Sequence, residues 1–82
     1  MDPAKLAASV ARASYGKLLS IVAAQTGDIS RAEDALGEAF RLALETWPKT
    51  GVPANPEGWL VTAAKNRAID VVRYHMHISF LT

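Results

Sequence analysis

Between Ala32 and Trp47 the apolar residues Ala32, Leu36, Ala39, Phe40, Ala43 and Trp47 recur in steps of three and four. That period puts them on one side of an α-helix and leaves Arg31, Asp34, Glu38, Arg41 and Glu45 on the other. A helix with one apolar stripe has to bury it against other elements, and the flanking sequence offers only more helix. Asp2-Pro3 reads as an N-cap followed by a first-turn proline. Leu6, Val10 and Ala13 form a first helical stripe, and Tyr15, Leu18, Ile21 and Val22 form a second that is out of phase with it. The phase change predicts a bend or short break between Ser14 and Gly16. Gly27 suits the position just past a helix C-cap. Ser30-Arg31-Ala32-Glu33 reads as a capping box that opens the middle helix, and Pro48 is expected to stop it. Residues 48–55 then read as a loop. Asn55-Pro56 repeats the start signal of the first helix, and the last helix turns Trp59, Leu60, Ala63, Ala64, Ala68, Val71 and Val72 inward. Its outward set is Thr62, Lys65, Asn66, Arg67, Asp70 and Arg73. The stretch from Tyr74 to Thr82 has neither period nor charge at neutral pH and reads as a tail. Alternating β-branched runs do not occur. The expected fold is all-α, a compact bundle of three main helices, the first bent or split near Gly16.

With 82 residues there is room for one small domain. Alanine is the commonest residue, so the core is expected to be thin and a partner to cover part of the apolar surface. No apolar run approaches the roughly 18 residues that a membrane span requires. No basic head followed by a long apolar block marks a signal peptide. The absence of cysteine removes disulfides, thiolate metal sites and a cysteine nucleophile. The expected compartment is the cytoplasm. His75 and His77 stand two apart with no third ligand in sight, so no metal is expected there. Ser14 and Ser20 lack a nearby histidine, and no paired catalytic carboxylates or phosphate-cradling glycine loop occurs. A binding module, with no cofactor and no catalysis of its own, is the expected class.

Charge is unevenly spread. Residues 1–27 carry Lys5, Arg12 and Lys17 against Asp2, a net +2. Residues 28–47 carry Asp28, Glu33, Asp34, Glu38 and Glu45 against Arg31 and Arg41, a net −3. Residues 48–82 carry Lys49, Lys65, Arg67 and Arg73 against Glu57 and Asp70, a net +2. An acidic helix is thus followed by a mildly basic one. Such a pair suits a basic protein on one surface and a phosphate backbone on another, or simply two solvated faces.

The stretch Gly27 to Arg73 resembles region 2 of bacterial RNA polymerase sigma factors of the sigma-70 class, in the extracytoplasmic-function group. The resemblance rests on Gly27-Asp28, on Ala32-Glu33-Asp34-Ala35-Leu36-Gly37-Glu38-Ala39-Phe40, on a helix ending at Trp47, and on the loop Gly51-Val52-Pro53-Ala54-Asn55-Pro56. It rests further on the run Trp59-Leu60-Val61-Thr62-Ala63-Ala64-Lys65-Asn66-Arg67-Ala68-Ile69-Asp70-Val71-Val72-Arg73. A weaker match through Tyr15-Gly16-Lys17-Leu18-Leu19 extends it upstream. Three features depart from the family pattern. Gly37 stands where a glutamine is usual, the sequence after Arg73 lacks further arginines, and the promoter-reading helix-turn-helix domain does not follow. Residues 1–73 are therefore expected to form the region 2-like domain and 74–82 a separate tail.

The resemblance implies a role in promoter recognition and opening. Asp34, Glu38 and Arg41 share one face and would dock on the largest subunit of core RNA polymerase, with Leu44 adding apolar contact or joining the core. Thr62, Lys65, Asn66, Arg67 and Arg73, with Val52 and Asn55 of the loop, would hold the non-template strand of the downstream promoter element. Such a site needs cations for phosphates and polar groups for base edges. Asn66 offers both a donor and an acceptor, though it could instead bond Asp70 or the backbone. The loop glycine and prolines either line a base pocket or set a turn. Trp59 is expected in the core, with base stacking as its other reading. An anti-sigma protein is a further implied partner, and no membrane is implied. The alternative is a truncated sigma-like interaction module that binds polymerase, an anti-sigma protein or a second copy of itself without recognising DNA.

Overall fold

A computed structural model describes the backbone of residues 2–81 and the side chains of Asp2 and residues 4–68. Three helices follow one another: α1 (Pro3–Thr26), α2 (Ile29–Thr50) and α3 (Pro56–Leu81). No strand occurs among the described residues, and each helix packs on the other two. The all-α bundle expected from the stripes is the observed fold.

Local chemistry explains most of the helix ends. Asp2 accepts the Ala4 backbone N–H at 3.0 Å, with Pro3 in the first turn of α1. α1 closes on Gly27, whose φ of 73° is left-handed and whose N–H reaches the Ala23 carbonyl at 2.8 Å. Asn55 caps α3 by accepting the Gly58 N–H at 3.0 Å.

Four expectations are corrected. α1 is one continuous helix through Ser14–Gly16, so the short break is absent. Its two apolar stripes arise because α1 packs on both α2 and α3. Leu18 and Val22 are buried, Tyr15 and Ile21 lie at the exposed margins, and Ala13 faces solvent. The start of α2 is set by Asp28 and not by a Ser30–Glu33 box. Asp28 Oδ1 accepts the N–H groups of Ser30 at 2.9 Å and Arg31 at 3.3 Å. The cap directly follows Gly27, so the reversal is short and Ser30 lies inside the helix.

Pro48 does not stop α2, which continues to Thr50. A proline already has a helical φ, and its missing N–H leaves only the Leu44 carbonyl without that bond. Leu44 is exposed, so water can serve that carbonyl. The loop is accordingly Gly51–Asn55, and the chain leaves α2 through Gly51 at φ 90°. Finally, the segment from Tyr74 to Leu81 is helical and prolongs α3. No glycine or proline follows Gly58, so nothing in the sequence interrupts the ladder. The inward placements expected at Val71 and Val72 concern side chains outside the described residues.

The core is thin for the expected reason. Among the described residues, six of the eleven buried ones are alanines: Ala7, Ala32, Ala35, Ala39, Ala43 and Ala64. Small residues let the helices approach closely but bury little area each. Most of the buried volume comes from Trp47, Leu18, Leu36, Leu60 and Val22. Trp47 meets Trp59 edge-on at 5.3 Å between ring centroids, the geometry favoured by aromatic quadrupoles. The buried Trp47 Nε1 has no hydrogen-bond partner among the described residues, which subtracts about 1–3 kcal/mol from what its ring contributes.

Candidate functional site

The polar side of α2 forms an ordered ionic ridge. Arg41 donates to Glu38 Oε2 from Nε at 3.1 Å and from Nη2 at 2.8 Å. Its Nη1 donates to Glu45 Oε1 at 2.6 Å. The i,i+3 and i,i+4 spacings make both contacts possible on one helix. The Arg41 hydrogen bond, and then its charge, hold the Glu38 carboxyl below the usual glutamate range, with a smaller pull from Arg67 of α3. In return Glu38, then Glu45, raise the affinity of the Arg41 guanidinium for its proton. All three side chains are well exposed, so the contacts order the ridge more than they stabilise the fold. Glu45 was not among the expected site residues, although its spacing from Arg41 is the signal that finds it. Asp34 lies on the same side, nearly two turns toward the N-terminus. Leu44 is about half exposed and therefore does not belong to the core.

A groove of about 430 Å³ runs between α2 and α3. Glu38, Ala39, Arg41 and Leu42 form one wall, and Trp59, Thr62, Ala63, Asn66 and Arg67 form the other. It continues into a second hollow of about 310 Å³ that adds Arg31, Asp34, Ala35 and Ala68. Glu38 and Arg67 line both and stand where the two meet. The acidic ridge and the polar face of α3, which the sequence suggests are separate surfaces, thus border one groove. Its apolar lining is Ala39, Leu42, Trp59 and Ala63. Leu42 escaped sequence reasoning because a lone leucine on a polar face carries no periodic signal. Trp59 is half-buried: it packs on Trp47 and also lines the groove.

The expected site residues of α3 and the loop do not form one patch. Thr62, Asn66 and Arg67 come together. Lys65 is exposed but absent from the groove, and two residues of helix put it about 200° round from Arg67. Val52 is exposed on the loop. Asn55 uses its side-chain oxygen to cap α3 and lines a different hollow, between α1 and α3. Arg73, and Asp70 as a partner for Asn66, concern side chains outside the described residues. So do His75 and His77. Among the described residues no helix is long and apolar enough to cross a membrane, and no three His, Asp or Glu side chains converge as a metal site.

This arrangement offers exposed carboxylates for a basic partner. It also offers a groove with an apolar lining, an amide, a hydroxyl and a guanidinium. No solved structure matches the chain. An uncharacterized protein of Rhizobium meliloti is 44% identical over 46 residues, which is 56% of this chain and 11% of that protein. The chain thus spans only a small part of that relative's length. The family described as Sigma-70 region 2 matches residues 10–77, most of the chain. The chain belongs to the sigma-70 region 2 family.

Proposed function

We propose that the chain acts in transcription initiation as the region 2 of an extracytoplasmic-function sigma factor. It works in the cytoplasm, docks on core RNA polymerase and holds the non-template strand of the downstream promoter element as it opens. Catalysis belongs to the polymerase. Family membership supports the general role, because sigma-70 region 2 acts with core polymerase and promoter DNA. The observation that carries the finer reading is the α2–α3 groove. It sets the Glu38–Arg41–Glu45 ridge beside the Thr62, Asn66 and Arg67 face.

In this reading Asp34, Glu38 and Arg41 meet the largest polymerase subunit through charge-assisted bonds, with Leu44 in apolar contact. Thr62 and Asn66 read base edges, Arg67 and Arg73 meet phosphates, and Lys65, on the opposite flank of α3 from Arg67, adds positive charge at longer range. Val52 and Asn55 belong to the loop beside the strand, with Asn55 offering its amide nitrogen. Residues 1–73 form the working unit, and residues 74–81 lengthen α3 beyond it. An anti-sigma protein would compete for the same ridge.

The test is capture of core RNA polymerase by the tagged chain. Reversing charge at both Asp34 and Glu38 should abolish capture while far-ultraviolet circular dichroism stays helical. Undiminished capture by that variant would remove the ridge from the interface.

A further inference from the structure

A second groove, about 480 Å³, lies on the other flank of α3, against α1. Lys17 and Ile21 of α1 face Asn55, Gly58, Val61 and Thr62 across it. Thr62 lines this groove as well as the α2–α3 groove. The outer surface of α3 at Thr62 is therefore a crest shared by both. Crossing it is a matter of about one helix diameter, 10–12 Å. Lys17 is the cation on the α1 side. Its Nζ lies 3.5 Å from Glu57 Oε2, and the two side chains are 70% and 39% exposed. An exposed pair at that distance holds its lysine weakly, so a phosphate can displace the carboxylate at small cost.

We infer that the α1–α3 groove continues the path of single-stranded DNA, with Lys17 as a phosphate contact and Glu57 as its competing counter-ion. The inference rests on the strand-holding part of the proposed function. Continuity argues for the strand as the occupant. A chain that reaches Asn66 and Arg67 and passes over Thr62 arrives beside Lys17, where Ile21 and Val61 supply apolar surface for a sugar or base. Glu57 lowers the affinity of this end, because the strand has to replace it and because its own charge repels phosphate.

The experiment is fluorescence anisotropy of a labelled single-stranded DNA oligonucleotide with the full chain, titrated at several salt concentrations. Lys17→Gln should weaken binding and lower the steepness of the log–log salt dependence by about 0.7, the value of one phosphate contact on a single strand. Lys5→Gln removes the same charge about 18 Å away along α1 and should leave that slope unchanged. Glu57→Gln should tighten binding about two- to fivefold, within what one exposed ion pair allows. Far-ultraviolet circular dichroism of each variant checks that the helices remain.

Equal losses from Lys17→Gln and Lys5→Gln would reduce the effect to net charge and overturn the inference. So would a parental slope in Lys17→Gln. In both cases the strand-holding role of α3 would stand. Failure of the parent chain to bind the oligonucleotide at all would overturn the strand-holding role and this inference together.

Discussion

Glu38 of α2 and Arg67 of α3 both line the two hollows between these helices, and the Arg67 charge helps to keep the Glu38 carboxyl ionised. Glu38 is also the residue to which Arg41 donates twice. One carboxylate therefore belongs to both the ridge proposed for polymerase and the groove proposed for the strand.

The acid behaviour of the ridge follows from that geometry. The pKa of Glu38 is depressed in the folded chain, so its contribution is present above the unfolded glutamate pKa and is lost as pH falls through the lower folded value. An acid titration of thermal stability should fall in that window. In Glu38→Gln the fall should be shallower, because the titrating group is gone. A steeper acid loss in the variant would contradict the assignment.

Gly58 packs directly against the Asn55 cap. A Cβ at position 58 would lie 2.7 Å from Asn55 Nδ2, too close for both to stay. Asn55→Ala should cost about 1 kcal/mol through the lost cap. Gly58→Ala should give no gain despite its better helix propensity, and the double variant should cost less than the two single losses combined. Urea denaturation of the three variants measures this, and strict additivity would separate Gly58 from the cap.

Trp47 and Trp59 should differ in what they hold up. Trp47 is 1% exposed, and truncation to alanine should cost about 3–5 kcal/mol, comparable to the stability of a domain this small. Trp59 is only half-buried, so Trp59→Ala should melt earlier than the parent yet remain folded at low temperature. Thermal melts followed by circular dichroism distinguish them. Equal melting of the two variants would place both rings in the same environment.

Gly37 lies inside α2 with open space where its Cβ would be. Gly37→Gln should therefore stabilise the chain by roughly 0.5–1 kcal/mol through helix propensity alone. A loss of stability, measured in the same urea titration, would mean that position 37 is closed to a side chain.

Features governed by neighbours in the chain were legible in the sequence. The caps at Asp2, Gly27 and Asn55 and the stripe from Ala32 to Trp47 depend on local hydrogen bonds and helical period. Where two local signals competed, sequence alone could not choose. Asp28 and Ser30 are both good caps, and the short reversal after Gly27 decided between them. Pro48 looked terminal because the Leu44 exposure that makes its missing N–H tolerable is a tertiary fact. Ala35 gave no sign of burial, because alanine is at home on either side of a helix. The site was legible as residue types but not as a place. Asn66 and Arg67 share a groove with Glu38 only because α2 and α3 pack side by side, while the helical period puts Lys65 on the opposite flank of α3.

The central property of the proposed function is that the face of α3 bordering that groove holds an unpaired strand. The direct measurement is fluorescence anisotropy of the chain at low salt, with a labelled single strand carrying the downstream promoter element and with the matching duplex. Unstacked bases need no melting energy, so the single strand should bind more tightly. Asn66→Ala should remove the preference among sequences, whereas Arg67→Ala should weaken all of them alike. Tighter binding of the duplex, or a sequence preference that survives Asn66→Ala, would contradict it.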